Sequence, residues 1–480
     1  MMTVAAVLAS GCRQSPEGAP KVVVIGGAPK MADPSKEALT APDAVLLENV
    51  AQGLVRFDAS GNIVPGLAER WNVSDDGLSY IFRIASTNWP DGRKITAQQV
   101  AKILKRVIAE RSPNRLRDTL GAVEDIVAMT DRVIEIRLMA PRPSLLALLA
   151  QPELAIVRAG IGTGPFTARP NEKSPGELRL TREVTASDEA GASKQEVLLT
   201  GSTVEQAVQS FASGEADLVL GGTFDDLPAA QRIKLPRGSL QFDPASGLFG
   251  LVPVSRASQL DDPDVRRMLS QAIDRDAIVA TLGVPGLTAR ATVLEPGLDG
   301  LGILTAPGWL AAPIGDRIAG VKAMADKKFG KGPRGPIRVY LPMGLGGEAL
   351  LGLLKRSWGA IGFTVERASN RRAADFALID EVAPSPSAAW FVRKFRCDVT
   401  IICDPETDML IDAARQTQIP QQRVAFIQQA ASRIDDAQMF IPITAPVRWS
   451  LVSKNIQNFA GNRFAVHTLT DLQQKSGTAN

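Results

Sequence analysis

Residues 46–108 read LLENVAQGLVRFDASGNIVPGLAERWNVSDDGLSYIFRIASTNWPDGRKITAQQVAKILKRVI. Three turn signals divide the stretch. Asp58-Ala59-Ser60-Gly61-Asn62 lies between Leu54-Val55 and Ile63-Val64, as a hairpin loop does, with Gly61 or Asn62 free to take a positive φ. Asp75-Asp76-Gly77 is the second turn and Asp91-Gly92 the third. Leu78, Tyr80, Phe82 and Ile84 alternate with Ser79 and Arg83, the period of a half-buried strand. Thr96 opens a capping box with Gln99 at the N3 position. Val100, Ile103, Leu104, Val107 and Ile108 follow at i, i+3, i+4, i+7 and i+8. An amphipathic helix therefore begins there, with Lys102, Lys105 and Arg106 on its wet face. The reading is an α+β unit in which Trp71, Tyr80 and Trp89 are core aromatics.

The chain around it has 480 residues, room for two or three domains. Hydrophobic content of 45% and charged content of 22% are ordinary globular values. A net charge of +3 over this length gives no nucleic-acid footprint. No stretch approaches the apolar run that a transmembrane helix needs. The motifs of zinc proteases, serine hydrolases and P-loop nucleotide binders are absent, so no enzyme, catalytic residue or cofactor is expected. Lys21 to Gly27 reads as a buried strand ending in glycines, without the third glycine and following helix of a nucleotide site.

The N-terminus, MMTVAAVLASG followed by Cys12, looks like a bacterial lipobox whose cysteine becomes the lipidated first residue. The positively charged start of a signal peptide is missing, so the true start is expected upstream. Arg13 to Pro20, polar and with two prolines, reads as a tether. Cys397 and Cys403 flank DVTII, a strand-like run. Extended, it would span roughly 20 Å, beyond disulfide reach, so two unpaired and mostly buried thiols are expected. Zinc is not expected, because the only histidine, His467, stands alone.

Gly53-Leu54, Pro65 to Ala68, Trp71, Ser74, Asp76-Gly77, Tyr80, Phe82, Trp89, Asp91-Gly92, Thr96-Ala97 and Val100 occur in a fixed order. That order resembles the signature of the bacterial extracellular solute-binding proteins of family 5, which serve peptide, opine and nickel ABC transporters. Asp261 to Leu282, DDPDVRRMLSQAIDRDAIVATL, is a second match, in which Asp262 and Asp274 cap helices and Arg275 makes a surface pair. Weaker matches run from Gly162-Thr163-Gly164-Pro165-Phe166 and Phe211 to Leu220 through to Phe440-Ile441-Pro442-Ile443, so the resemblance covers Lys21 to about Leu472.

The resemblance implies a mixed α/β, two-lobed periplasmic-binding-protein fold with a hinge and an extra subdomain on the first lobe. The expected organisation is residues 1–20 as signal and tether; 21–46, 160–248 and 445–480 as lobe I; 47–159 as the subdomain; and 249–444 as lobe II. Hinge crossings are expected near 243–254 and 442–447. The implied function is capture of a peptide or other small solute between the lobes and its delivery to a permease and ATPase complex. The chain would be a periplasmic monomer, anchored by lipid on Cys12. The alternative is a ligand sensor or chaperone-like lipoprotein of the same fold.

In the peptide binders a W-x-x-D-x-x-D/E-P loop supplies an Asp to the ligand ammonium. The corresponding segment here is Cys397 to Asp408. Aligned on Asp404-Pro405, it puts Ile401 at the ammonium position; aligned on the preceding strand, it puts Asp408 there. The peptide-binding pattern is therefore rebuilt. Asp404, Asp408 and Ile401 are the candidate ligand-binding residues, and Trp390 and Arg393 the candidate lining of the cleft.

Overall fold

The computed structural model describes residues 18–185, 192–256, 260–298, 300–302, 304 and 306–474. The lipobox with Cys12 lies outside the described residues.

Three sheets carry the architecture. The first has seven strands, in the order Leu240–Phe242, Arg448–Val452, Leu218–Thr223, Lys21–Ile25, Ala192–Ser202, Leu178–Thr185 and Thr167–Pro170. The second has five, in the order Phe363–Arg367, Arg334–Tyr340, Phe376–Val382, Gly247–Pro253 and Ile441–Thr444. The third is a four-stranded antiparallel sheet in the order Ala68–Val73, Ser79–Ile84, Val133–Leu138 and Val123–Thr130. The first sheet lies in the segments expected as lobe I, the second in lobe II and the third in the subdomain. Strand Lys21–Ile25 runs parallel to both of its neighbours, as a centrally buried strand does. Val22 and Val24 face one core of lobe I while Val23 faces another.

The subdomain follows from the periodicities of its sequence. Tyr80, Phe82 and Ile84 point inward, and the helix Ala97–Val107 lays Val100, Ile103, Leu104 and Val107 against them. Thr96 caps that helix by accepting from the Gln99 amide, but the Gln99 side chain does not return to the cap. It accepts instead from Trp89 Nε1 at 3.0 Å, satisfying the only polar atom of a buried indole.

Chain crossings between the two large sheets occur at 243–246 and 445–447. Asp262 and Asp274 cap their helices, and Gly283 ends the second at φ 63°. Arg275, expected on the surface, is 1% exposed. Its guanidinium donates to the carbonyls of Pro442 (2.8 Å), Arg290 (2.9 Å) and Ser270 (2.7 Å). It thus satisfies chain that would otherwise be buried unpaired beside the second crossing. Burial pushes its pKa down to about 9, and the neighbouring Arg317 charge adds to this.

The lobes also touch away from the crossings. Phe224 of lobe I meets Phe249 of lobe II edge-on at 4.9 Å between ring centres. Next to it, the Asp225 carboxylate accepts from the amides of Gly344 (3.0 Å) and Gly347 (2.7 Å), at the start of the lobe II helix Leu345–Gly359. A residue of one lobe therefore does the work of a helix N-cap for the other. The close approach explains the glycines: a Cβ on Gly344 would lie 2.4 Å from the Asp225 carboxylate, and one on Gly346 2.2 Å from the Phe224 carbonyl. Replacing Asp225 by Ala is expected to cost about 1 kcal/mol, the usual loss for an N-cap. Because the cap spans the lobes, the loss should appear as a lower melting temperature together with a larger radius of gyration in X-ray scattering. An unchanged scattering profile would show that the lobes are held by other contacts.

Candidate functional site

A polar seam runs between the subdomain and lobe II. Gln151 Nε2 donates to the carbonyl of Pro384, in the turn after strand Phe376–Val382, at 2.8 Å. Arg142 Nη2 donates to the carbonyl of Arg415 at 2.9 Å, and Arg415 Nη2 donates back to the carbonyl of Gly121. Between these bridges each wall presents charge. On the subdomain side, Arg115 Nε is paired with the buried Glu153, itself in the short turn Pro152–Leu154. On the lobe II side, Glu381 pairs with Lys394 at 2.5 Å, and Lys394 lies 5.0 Å above the Trp390 ring. The Arg115 side chain is 58% exposed while facing Glu381 of the opposite lobe closely enough to feel its charge. Arg115 and Glu381 thus share an electrostatic field across the seam. Burial opposes the Arg115 charge, but Glu153 and, more remotely, Glu381 outweigh it and raise its pKa.

Behind Glu153 lies Glu48, on the lobe I helix Ala41–Val50. It is 5% exposed, and both Glu48 Oε1 and Glu153 Oε2 are buried without a hydrogen-bond partner among the described residues. Burial raises the Glu48 pKa to about 8; Arg56 lowers it and Glu153 raises it further.

The residues singled out in the sequence fall in different places. Trp390 is buried in the lobe II core, edge-on to Phe391 at 5.0 Å. Arg393 ends the same helix, Ala388–Arg393, and lies within the field of Arg142 and Arg415 at the seam. The Asp404 carboxylate caps the helix Pro405–Gln416, accepting from the amides of Glu406 and Thr407, and it also pairs with Arg433 at 2.6 Å. Asp408 accepts from the Cys397 amide at 3.2 Å and lies 4.0 Å from Arg396. Ile401 is 43% exposed, and its carbonyl accepts from Arg256. The structure thus brings Trp390 and Arg393 onto one helix beside the seam, and it engages Asp404 and Asp408 in helix and turn geometry.

The cysteine expectation is overturned: Cys397 and Cys403 form a disulfide, with their Cα atoms 5.1 Å apart. The run between them is not a strand. The amides of Val399 and Thr400 both return to the Arg396 carbonyl, so the chain turns and brings the sulfurs together.

Arg115, Glu153, Glu381, Lys394, Arg142 and Arg415 were not singled out in the sequence. Only Glu48 and Glu153 left a local trace, as carboxylates inside the apolar runs LLENV and QPELAIV.

The molecule matches the profile of the bacterial extracellular solute-binding proteins, family 5 Middle, over residues 62–375, well over half its length. The chain belongs to this family. Two relatives of the solute-binding protein span most of both sequences. One is a probable di/tripeptide-binding protein 5 from Pseudomonas aeruginosa, 24% identical over 86% of this chain and 87% of its own. The other is a probable deoxycholate-binding periplasmic protein from Escherichia coli, 26% identical over 86% of each. Among solved structures, the Haemophilus influenzae OppA complex with RPPGFSPFR superposes with a TM-score of 0.78 at 14% identity, covering 96% of this chain and 100% of that one. This last likeness establishes the fold.

The Glu48 pKa gives a signed prediction. Its folded value of about 8 stands above the unfolded value of 4.5, so the folded state holds the proton more tightly. Stability therefore falls as pH rises from 4.5 and levels off above about 8. Replacing Glu48 by Gln should leave the melting temperature nearly unchanged at pH 4 and raise it relative to the parent at pH 8–9. A constant difference across that range would mean that Glu48 does not titrate in this window.

Proposed function

We propose that this protein is the solute-binding component of an ABC importer, taking a peptide or similar small solute into the seam between the subdomain and lobe II. The observation that carries the reading is the family match combined with a charged seam whose two walls belong to different lobes. Residues 243–246 and 445–447 act as the hinge, and solute that touches both walls favours the closed form, which a permease then reads. Support for a peptide comes from the relatives, one named for di- and tripeptides and one solved with a peptide bound.

The rebuilt loop changes how a ligand is held. Asp404 and Asp408 hold their helix and the disulfide turn, since their oxygens are already engaged there. Trp390 supports Lys394 from the core, and Arg393 faces the solute. The protein works in the periplasm as a monomer, tethered through lipid on Cys12. Cys12→Ser should move it from the membrane to the soluble fraction of its own host; equal partition of the two forms would remove the anchor.

Protein purified gently from its own host and analysed by native mass spectrometry should release a peptide or small solute on denaturation. Adding that solute back should shrink the radius of gyration. Repeatedly empty protein, with no scattering change in a periplasmic extract, would overturn solute capture.

A further inference from the structure

Four arginines gather at one end of the seam, and among the described residues none of them forms an ion pair with a carboxylate. Arg142 Nη2 is held on the carbonyl of Arg415, and Arg415 Nη2 on the carbonyl of Gly121. Arg423 Nη2 donates to the carbonyl of Thr417 at 3.2 Å, just past the end of the helix that carries Arg415. Arg423 Nε is buried and lacks a hydrogen-bond partner among the described residues. The guanidinium of Arg393 has neither a hydrogen bond nor an ion pair among the described residues. It stands close enough to Arg142 and Arg415 to repel both.

The neighbouring acids are already taken. Asp118 pairs with Arg117 at 3.0 Å and Asp398 with Arg396 at 3.4 Å, and Arg396 also draws Asp412 and Asp408. Burial lowers the pKa of Arg142, to about 10, and that of Arg393 and Arg423; for Arg142 the charges of Arg423, Arg393 and Arg415 add to it. Carbonyl oxygens satisfy some N–H groups but cannot neutralise a guanidinium. Cations partly withdrawn from water and crowded together disfavour lobe closure unless a counter-charge enters. Asp118 and Asp398 act favourably on Arg393, but only from beyond contact and while paired with other arginines. Among the described residues no carboxylate is in contact with any of the four, so a contacting counter-charge would come from a solute. Planar guanidinium forks fit the paired oxygens of carboxylate and phosphate groups.

We infer that the solute taken into this cleft carries at least two oxyanion charges, as carboxylate or phosphate, held by Arg142, Arg393, Arg415 and Arg423 where the subdomain meets lobe II. The inference rests on the solute-capture reading above and adds the class of solute to it.

The test uses the full chain with citrate and pyrophosphate as probes, against sodium chloride at equal ionic strength. Calorimetric titration and thermal melting would be run on the parent and on Arg393→Gln and Arg423→Gln, the two arginines with the fewest partners. At least one probe should bind the parent, with its dissociation constant raised ten-fold or more in each variant. Which probe binds separates a carboxylate solute from a phosphate one. The unliganded variants should melt no lower than the parent, since each loses a repelled charge. Arg393→Lys, which keeps the charge but not the fork, should recover part of the affinity. Binding no stronger than chloride, or equal binding to parent and variants, would overturn the proposal. A neutral solute released from native protein and bound equally by all forms would also overturn it, while leaving solute capture intact. Oxyanion binding through these arginines in a protein that releases no solute and does not close would support the anion site and count against transport.

Discussion

The partly buried ion pair between Asp380 and Arg448 is the contact on which the two-lobed arrangement turns. Asp380 belongs to the lobe II strand Phe376–Val382, and Arg448 opens the lobe I strand Arg448–Val452, immediately after the second crossing. Arg448 Nη1 reaches both carboxylate oxygens, at 2.9 and 3.1 Å, and Nη2 reaches the Asp380 carbonyl at 3.1 Å. Burial raises the Asp380 pKa, and Arg448 opposes that rise. Such a pair adds little net stability, but losing one partner would strand a charge largely withdrawn from water, which is destabilising. The pair therefore fixes orientation: it lets the strands of two sheets meet at the crossing in one geometry. The rest of the hinge is built onto the same few residues. The Arg290 amide donates to Ile443 and the Thr444 hydroxyl to the Thr288 carbonyl, while Glu295 takes Ser246 and Arg290. Both crossings are thereby tied to one loop.

What the sequence disclosed follows the range of the forces involved. The subdomain was legible because its elements are set by local periodicity and local turns. The alternation of Tyr80, Phe82 and Ile84, the Thr96 cap and the Asp262 and Asp274 caps all act within a few residues. Contacts made at long range were not legible. Gln99 looked like half of a capping box but is drawn to the indole of Trp89. Arg275 looked like a surface residue because nothing nearby in sequence reveals that the carbonyl of Pro442 needs a donor. At Gly344, Gly346 and Gly347 only the approach of Phe224 and Asp225 shows why side chains are excluded.

The segment 397–408 shows the same limit at the candidate site. DVTII has the composition of a strand, but it pairs with no sheet among the described residues. The chain turns on the Arg396 carbonyl, and the disulfide closes that turn. An oxidising compartment suits such a bond. Aligning this segment by motif drew attention to Asp404 and Asp408, whereas the charges that face the other lobe come from Glu381, Lys394 and Arg393. Arg393 was reachable from the sequence only because it lies just before the expected loop; Arg415 and Arg423 follow it on later helices without a shared motif, and Arg142 comes from a distant part of the chain.

These features place opposite demands on closure. The Asp225 cap, the Phe224–Phe249 contact and the Gln151–Pro384 bond all reward bringing the lobes together. The four crowded guanidinia resist it, because closure removes water from charges that, among the described residues, no carboxylate touches. A binding protein needs such opposition: if its lobes closed with equal ease when empty, a permease could not distinguish the loaded form. A solute that supplies the missing negative charge removes the penalty only when it is bound, so its binding free energy becomes a preference for the closed state. The charge mismatch at the seam then sets both which solutes are accepted and when the lobes close.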